Sequence, residues 1–218
     1  MPDPGPSLAA RNAHFPFVVF ADFVCPWSYL AVHQVARLGV EYGIRPIWRP
    51  HWLHPDVPPA GRPIDDLARR DATVAWLTEC APDLAPHMRF SDRLVSSFLA
   101  FEALEFAVDR QRSFQFAAAV FDACWRRGDD ISHATVLQYA AARVGLDPAA
   151  LGTALAEHTY TDRVTEALGL AQRLEVTATP TLFVGTRRIN GWHYDEVLGT
   201  VLADQGVEAL PSGPSGPS

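Results

Sequence analysis

The sequence predicts an α/β fold in the order βαβ, a long all-helical block, then ββα. Three observations carry that expectation. The apolar run Phe17-Val18-Val19-Phe20 leads into Cys25-Pro26, after which the apolar spacing turns helical, so a buried strand gives way to a helix at a cysteine. Residues 63–174 then carry helical patterning and helix caps. Finally, Thr181-Leu182-Phe183-Val184, the turn Gly185-Thr186 and the stretch Arg187-Arg188-Ile189 read as a hairpin.

The elements follow in order. Residues 2–13, rich in Pro, Ala and Ser, read as a loose lead-in. After the first strand, a helix is expected from about Pro26 to Tyr42, apolar at Ala31, Val35, Leu38 and Tyr42 and stopped by Gly43. Ile44 to Trp52 is a second strand interrupted by Pro46 and Pro50, and His54 to Pro63 is a proline-rich loop. The helical block divides into Ile64–Glu79, Arg93–Arg110, Ser113–Arg127 closed by Gly128, and a helix capped by Ser132 that ends at Gly145. Two more follow: one opened by Asp147-Pro148 and one over about Asp162–Leu174. After the hairpin, Tyr194 to Ala203 closes the fold, and the repeated Pro-Ser-Gly of Pro211 to Ser218 reads as disordered.

This order is that of a thioredoxin-like fold split by a large all-helical insertion. The expected division is residues 14–62 and 175–205 for the thioredoxin-like part and 63–174 for the insertion. Residues 1–13 and 206–218 are expected to be flexible tails.

Composition narrows the function classes. With 18 basic and 25 acidic residues the net charge is −7, which argues against nucleic acid or an anionic membrane surface as the main partner. Every basic residue is arginine, so lysine chemistry is absent. Three cysteines in 218 residues do not form a disulfide framework. No stretch reaches the ~18 apolar residues of a membrane span, and Met1 to Ala13 lacks the pattern of a secretory signal. The expected location is the cytoplasm, a reducing compartment.

The candidate site centres on Cys25-Pro26-Trp27-Ser28. A helix N-terminus offers unpaired N–H groups and partial positive charge, both of which favour thiolate over thiol. Pro26 suits the first helical position, where its missing N–H costs nothing. Trp27 is expected to be partly exposed and to contact the substrate. Ser28 stands where a dithiol site has its second cysteine; its hydroxyl can donate to the sulfur of Cys25 but cannot form a disulfide with it. In this fold the loop before the third strand passes beside the cysteine and carries a cis proline, so Thr179-Pro180 is the expected second half of the site.

Other residues have duller readings. Cys124 is expected to pack as a small hydrophobe and Cys80 to be a partly exposed, incidental thiol. His51 and His54 have the spacing of some metal ligands, but no cysteine or carboxylate pair completes a set, and no metal is expected. Phe98, Phe101, Phe106, Phe114, Phe116 and Phe121 read as helix-packing core, with an apolar substrate pocket as the alternative.

Asp22-Phe23-Val24-Cys25-Pro26-Trp27 resembles the active-site segment of DsbA-family thiol oxidoreductases of the FrnE type. Arg49 to Pro58 resembles that group's segment after the second strand, and Ala178-Thr179-Pro180-Thr181-Leu182-Phe183-Val184 its cis-proline segment. The likeness runs from about Phe17 to Leu202. Kappa-class glutathione transferases and 2-hydroxychromene-2-carboxylate isomerases share the insertion but carry serine at both the Cys25 and Ser28 positions. Where the kappa class holds glutathione with Gly-Ser-Asp-Arg, this chain has Gly191-Trp192-His193-Tyr194, without the charged contacts.

The resemblance implies a thiol–disulfide oxidoreductase or isomerase with a monothiol Cys-Pro-Trp-Ser site. Cys25 and Ser28 would be catalytic, and Pro26, Trp27, Thr179 and Pro180 would bind substrate. One alternative is a thiol-dependent isomerase or transferase acting on a small apolar or aromatic molecule; another is a non-catalytic binding protein. No tightly bound cofactor is expected, with a low-molecular-weight thiol as the candidate co-substrate. The expected partner is a thiol or disulfide substrate, protein or small molecule, and a homodimer is compatible with the sequence.

Overall fold

The computed structural model of the chain describes residues 7–211; residues 1–6 and 212–218, the outer parts of the expected flexible tails, lie outside it. Strand β1 (Phe17–Ala21) is followed by helix α2 (Pro26–Tyr42), for which Cys25 is the N-cap residue in extended conformation. Gly43 ends α2 with φ 69°, a left-handed conformation that glycine adopts without a Cβ penalty. Strand β2 (Ile47–Pro50) runs parallel to β1, with Val19 opposite Trp48. It is shorter than the stretch expected from Ile44 to Trp52, and it starts just after Pro46, which has no N–H to give to the ladder.

The inner parts of both chain ends differ from the flexible tails expected. Leu8–Asn12 forms a short helix, α1, capped by Ser7. The Asn12 amide donates to the carbonyls of Tyr42 (2.7 Å) and Glu208 (2.9 Å). The N–H of Leu210 donates to the carbonyl of Glu41 (2.8 Å), and Val207 is buried. The physical reason is that the last carbonyls of α2 have no partner within the helix, and both chain ends supply one.

The insertion begins with a feature that local pattern does not mark. Strands β3 (Arg62–Pro63) and β4 (Arg93–Leu94) pair antiparallel as a two-residue ribbon. The expected helices therefore start later. Helix α3 spans Leu67–Cys80, capped by the Asp66 carboxylate, and α4 spans Phe98–Asp109. Helix α5 (Ser113–Asp122) continues into a π-helical turn, Ala123–Arg127, closed by Gly128 as expected.

Helix α6 covers Ala134–Arg143 with His133, not Ser132, at its cap position. The hydroxyl and N–H of Ser132 are both committed to Asp130 Oδ1 instead (2.6 and 2.9 Å). Helix α7 (Pro148–Ala156) has the Asp147 cap, and α8 spans Thr161–Arg173. Buried carboxylates on α4 tie it to α8: Glu102 accepts from the Thr161 hydroxyl (2.6 Å) and Glu105 from Arg163 (2.7 Å).

Strands β5 (Thr181–Val184) and β6 (Arg187–Asn190) and helix α9 (Asp195–Asp204) complete the fold. The four-stranded sheet has the order β2-β1-β5-β6, with β5 antiparallel to both neighbours. Alternate residues of β1 serve the two faces. Phe17, Val19 and Ala21 join a core shared with α2, α9 and the insertion, whereas Phe20 packs with Ala171 and Val176. Phe101, Phe106, Phe116 and Phe121 all lie in that shared core, so the core reading of the phenylalanine stripe holds for them.

Candidate active site

The turn from β1 to α2 is held in place chiefly by the insertion. Asp22, 0% exposed, follows the last residue of β1. Its carboxylate accepts from the N–H of Val24 (3.2 Å), the N–H of Leu53 (2.8 Å) and the Ser97 hydroxyl. It therefore joins the active-site turn, the loop after β2 and the start of α4. Burial pushes its pKa up, against the downward pull of those three bonds. Phe23 packs against Phe101 and Phe121 with ring centroids 5.7 and 4.9 Å apart, and its carbonyl accepts from the Trp125 indole at 2.8 Å.

The Cys25 thiol is 4% exposed and donates to the carbonyl of Thr179 at 3.4 Å. The Thr179–Pro180 bond is cis, and both residues are buried. The structure thus brings Cys25, Ser28, Thr179 and Pro180 to one point. Pro26 and Trp27 are half-buried beside them. Trp27 meets Trp76 of α3 edge to face, with centroids 4.7 Å apart, and Trp76 is 59% exposed. Nearby on α3, Cys80 accepts from the Tyr194 hydroxyl at 3.8 Å, and Tyr194 packs against Trp192 at 5.0 Å.

One expectation needs correcting. The helix start does not make Cys25 a neutral-pH thiolate, because burial strips the charged form of water and raises the thiol pKa above its ordinary value. The Thr179 hydroxyl, the Ser28 N–H and the Ser28 hydroxyl pull it down without winning, and the negative charge of Asp22 adds to the rise. Alkylation by iodoacetamide, followed against pH, should therefore accelerate only above the range in which a free cysteine titrates. A rate already at its plateau at neutral pH would refute this. Ser28 Oγ itself makes no hydrogen bond that meets normal geometry, so the expected donation to the sulfur is not made in this resting arrangement.

The remaining candidates lie elsewhere. Cys124 is pushed up to about 12, first by burial and then by Asp22, Asp130 and Asp129, in keeping with a packing role. His51 is half-buried, its N–H donates to the Ala21 carbonyl (3.0 Å), and burial lowers its pKa. Sequence reasoning assigned no role to Asp22, Ser97, Trp76 or Tyr194. Only Asp22 carries a local signal, since a carboxylate enclosed by the apolar run Phe20-Ala21 and Phe23-Val24 must find partners on folding.

A buried thiol at a helix start, faced by the backbone of the loop before β5, defines a thiol-chemistry protein on a thioredoxin-like fold. Residues 17–203 match the DSBA-like thioredoxin domain, and the chain belongs to that family of thiol oxidoreductases. It is 27% identical over 192 residues to the uncharacterized protein YwbO of Bacillus subtilis (strain 168), spanning 86% of this chain and 95% of that one. A probable DsbA oxidoreductase from Streptomyces coelicolor superposes with a TM-score of 0.77 at 20% identity, over 93% of this chain and 94% of the other. A 2-hydroxychromene-2-carboxylate isomerase superposes with a TM-score of 0.69 at 19% identity, over 87% and 94%. At these identities the two superpositions speak for the fold alone. Among the described residues, no helix is long and apolar enough to cross a membrane.

Proposed function

We propose that the chain is a monothiol thiol–disulfide exchange enzyme in which Cys25 alone carries the covalent chemistry and a low-molecular-weight thiol completes the cycle. The observation that supports this most is the 3.4 Å contact of the Cys25 sulfur with the Thr179 carbonyl, with serine at position 28. The thiol loses its proton to solvent and the thiolate attacks one sulfur of a substrate disulfide. A mixed disulfide forms on Cys25, and the other substrate sulfur leaves as a thiolate and takes up a proton. Ser28 cannot expel the bound half, so an external thiol attacks the mixed disulfide and restores Cys25. Trp27 and Pro26 would flank the bound group, and Thr179 and Pro180 would present backbone and ring to it. The cycle suits a reducing cytoplasm, where small thiols abound.

Incubation with hydroxyethyl disulfide, followed by peptide mass analysis, tests the reading. A mixed disulfide on Cys25 that added thiol removes is the expected result. Labelling of Cys80 with Cys25 untouched would overturn it.

A second reading has its own support. Trp27, two residues from the thiol, packs against Trp76 of α3, and Tyr194, packed on Trp192, meets Cys80 one turn further along that helix. Such rings suit an apolar or aromatic molecule whose electrophilic carbon is attacked by Cys25 or by a thiol cofactor. A stable carbon adduct on Cys25 in protein purified without reductant would favour it.

A further inference from the structure

The hydroxyls of Ser28 and Thr179 are the unexplained part of the site. Ser28 is 0% exposed and Thr179 is 7% exposed, and neither side-chain oxygen has a hydrogen-bond partner. Buried polar atoms are nearly always paired, so two orphans at one point call for a function. Both residues adjoin Cys25: the Ser28 N–H donates to the Cys25 carbonyl at 3.1 Å, and the Thr179 carbonyl lies 3.4 Å from the Cys25 sulfur. The thiol proton itself goes to the Thr179 carbonyl. The sulfur thus meets a carbonyl acceptor, and the two residues that adjoin it carry hydroxyls free to donate.

A hydroxyl can donate to an oxygen bound to sulfur and accept from it, yet it cannot condense with the sulfur. A cysteine at position 28 would consume a sulfenic acid at once as an internal disulfide. Serine leaves it standing. We propose that Cys25 reduces a low-mass hydroperoxide, forming a sulfenic acid that the hydroxyls of Ser28 and Thr179 hold until a low-mass thiol removes it. The last steps rest on the thiol-exchange reading above; the first does not.

The chemistry balances. In the first step Cys25–SH and ROOH give Cys25–SOH and ROH. The O–O bond breaks, an S–O bond forms, the sulfur is oxidised and the peroxide reduced, and the thiol proton ends on the departing oxygen. In the second, a thiol R′SH displaces water from the sulfenic acid, leaving a mixed disulfide on Cys25. In the third, another R′SH attacks that disulfide, restoring Cys25–SH and releasing R′SSR′. The attacking form is the thiolate; because burial raises the thiol pKa, it is the minor form at neutral pH, and peroxide oxidation of Cys25 should accelerate as pH rises.

Treating the full chain with hydrogen peroxide in the presence of dimedone, with peptide mass analysis, tests the inference. The expected product is a dimedone adduct on Cys25. Ser28→Ala and Thr179→Val should each shorten the lifetime of the trappable state about threefold to tenfold, the worth of one hydrogen bond, and Thr179→Ser should restore it. Thermal unfolding confirms that each variant is folded. An adduct confined to Cys80, direct passage of Cys25 to sulfinic acid, or folded variants that match the parent chain would overturn the inference. A chain that forms the sulfenic acid but no mixed disulfide with hydroxyethyl disulfide upholds this step and overturns the exchange reading. The reverse result overturns this inference alone.

Discussion

Asp22→Ala should lower the stability of the folded chain by about 3 kcal/mol, since a buried group left without its partner costs about 1–3 kcal/mol. The carboxylate accepts from Ser97, Leu53 and Val24, and alanine leaves all three donors unpaired, the Ser97 hydroxyl in a fully buried position. For a chain of this size the midpoint of thermal unfolding should fall by about 6–12 °C. The pH dependence gives a second reading. The folded-state pKa of Asp22 is raised from 3.8, so the folded chain keeps a proton that the unfolded chain releases. Its contribution to stability is greatest below 3.8 and declines as pH rises through the folded value. The loss in Asp22→Ala should therefore be larger in mild acid than at neutral pH. A melting point unchanged from the parent, or a loss that grows with pH, would show that Asp22 does not hold the turn.

Ser28→Cys should convert the site from monothiol to dithiol. Position 28 is fully buried one helical turn from Cys25, and its N–H donates to the Cys25 carbonyl at 3.1 Å. A thiol there attacks a mixed disulfide on Cys25 from within the molecule. Intramolecular placement raises effective concentration far above that of a dissolved thiol, and the gain in insulin-reducing or thiol-oxidising turnover should be on the order of a hundredfold. The variant should also isolate as an internal disulfide under air and lose the dimedone-trappable state. If it oxidises normally but gains no turnover, the site does not receive disulfide substrates, and the reading with a small apolar substrate moves ahead.

The parts of the fold that were legible in the sequence are those with local causes. The Cys25-Pro26 helix start, the Gly43 stop, the Asp147-Pro148 cap and the hairpin through Gly185 each depend on residues within a few positions of one another. Thr179-Pro180 was legible through its place ahead of β5. The rest depends on contacts between distant segments. Nothing near Arg62 announces that it pairs with Leu94, and nothing near Asn12 announces the carbonyls of Tyr42 and Glu208. In Asp130-Ile131-Ser132-His133 several residues could cap a helix, and only the folded turn selects among them. The largest miss concerns the thiol. A helix start favours thiolate, but how far burial opposes it is set by what covers the sulfur, and the sequence does not reveal that cover.

The sulfur of Cys25 and the carbonyl of Thr179 meet across 154 positions of sequence. During synthesis Cys25 leaves the ribosome long before β5 exists, so it emerges as an ordinary cysteine with no Thr179 carbonyl beside it. Thr179 and β5 arrive only after the insertion has been made, and they must then slot beside β1 to finish the sheet. The reactive centre is thus assembled last, by a long-range closure that a partial chain cannot make. A nascent or C-terminally clipped chain should carry a thiol that alkylates like free cysteine, which makes the slow reaction of the finished protein a direct report that synthesis and folding are complete.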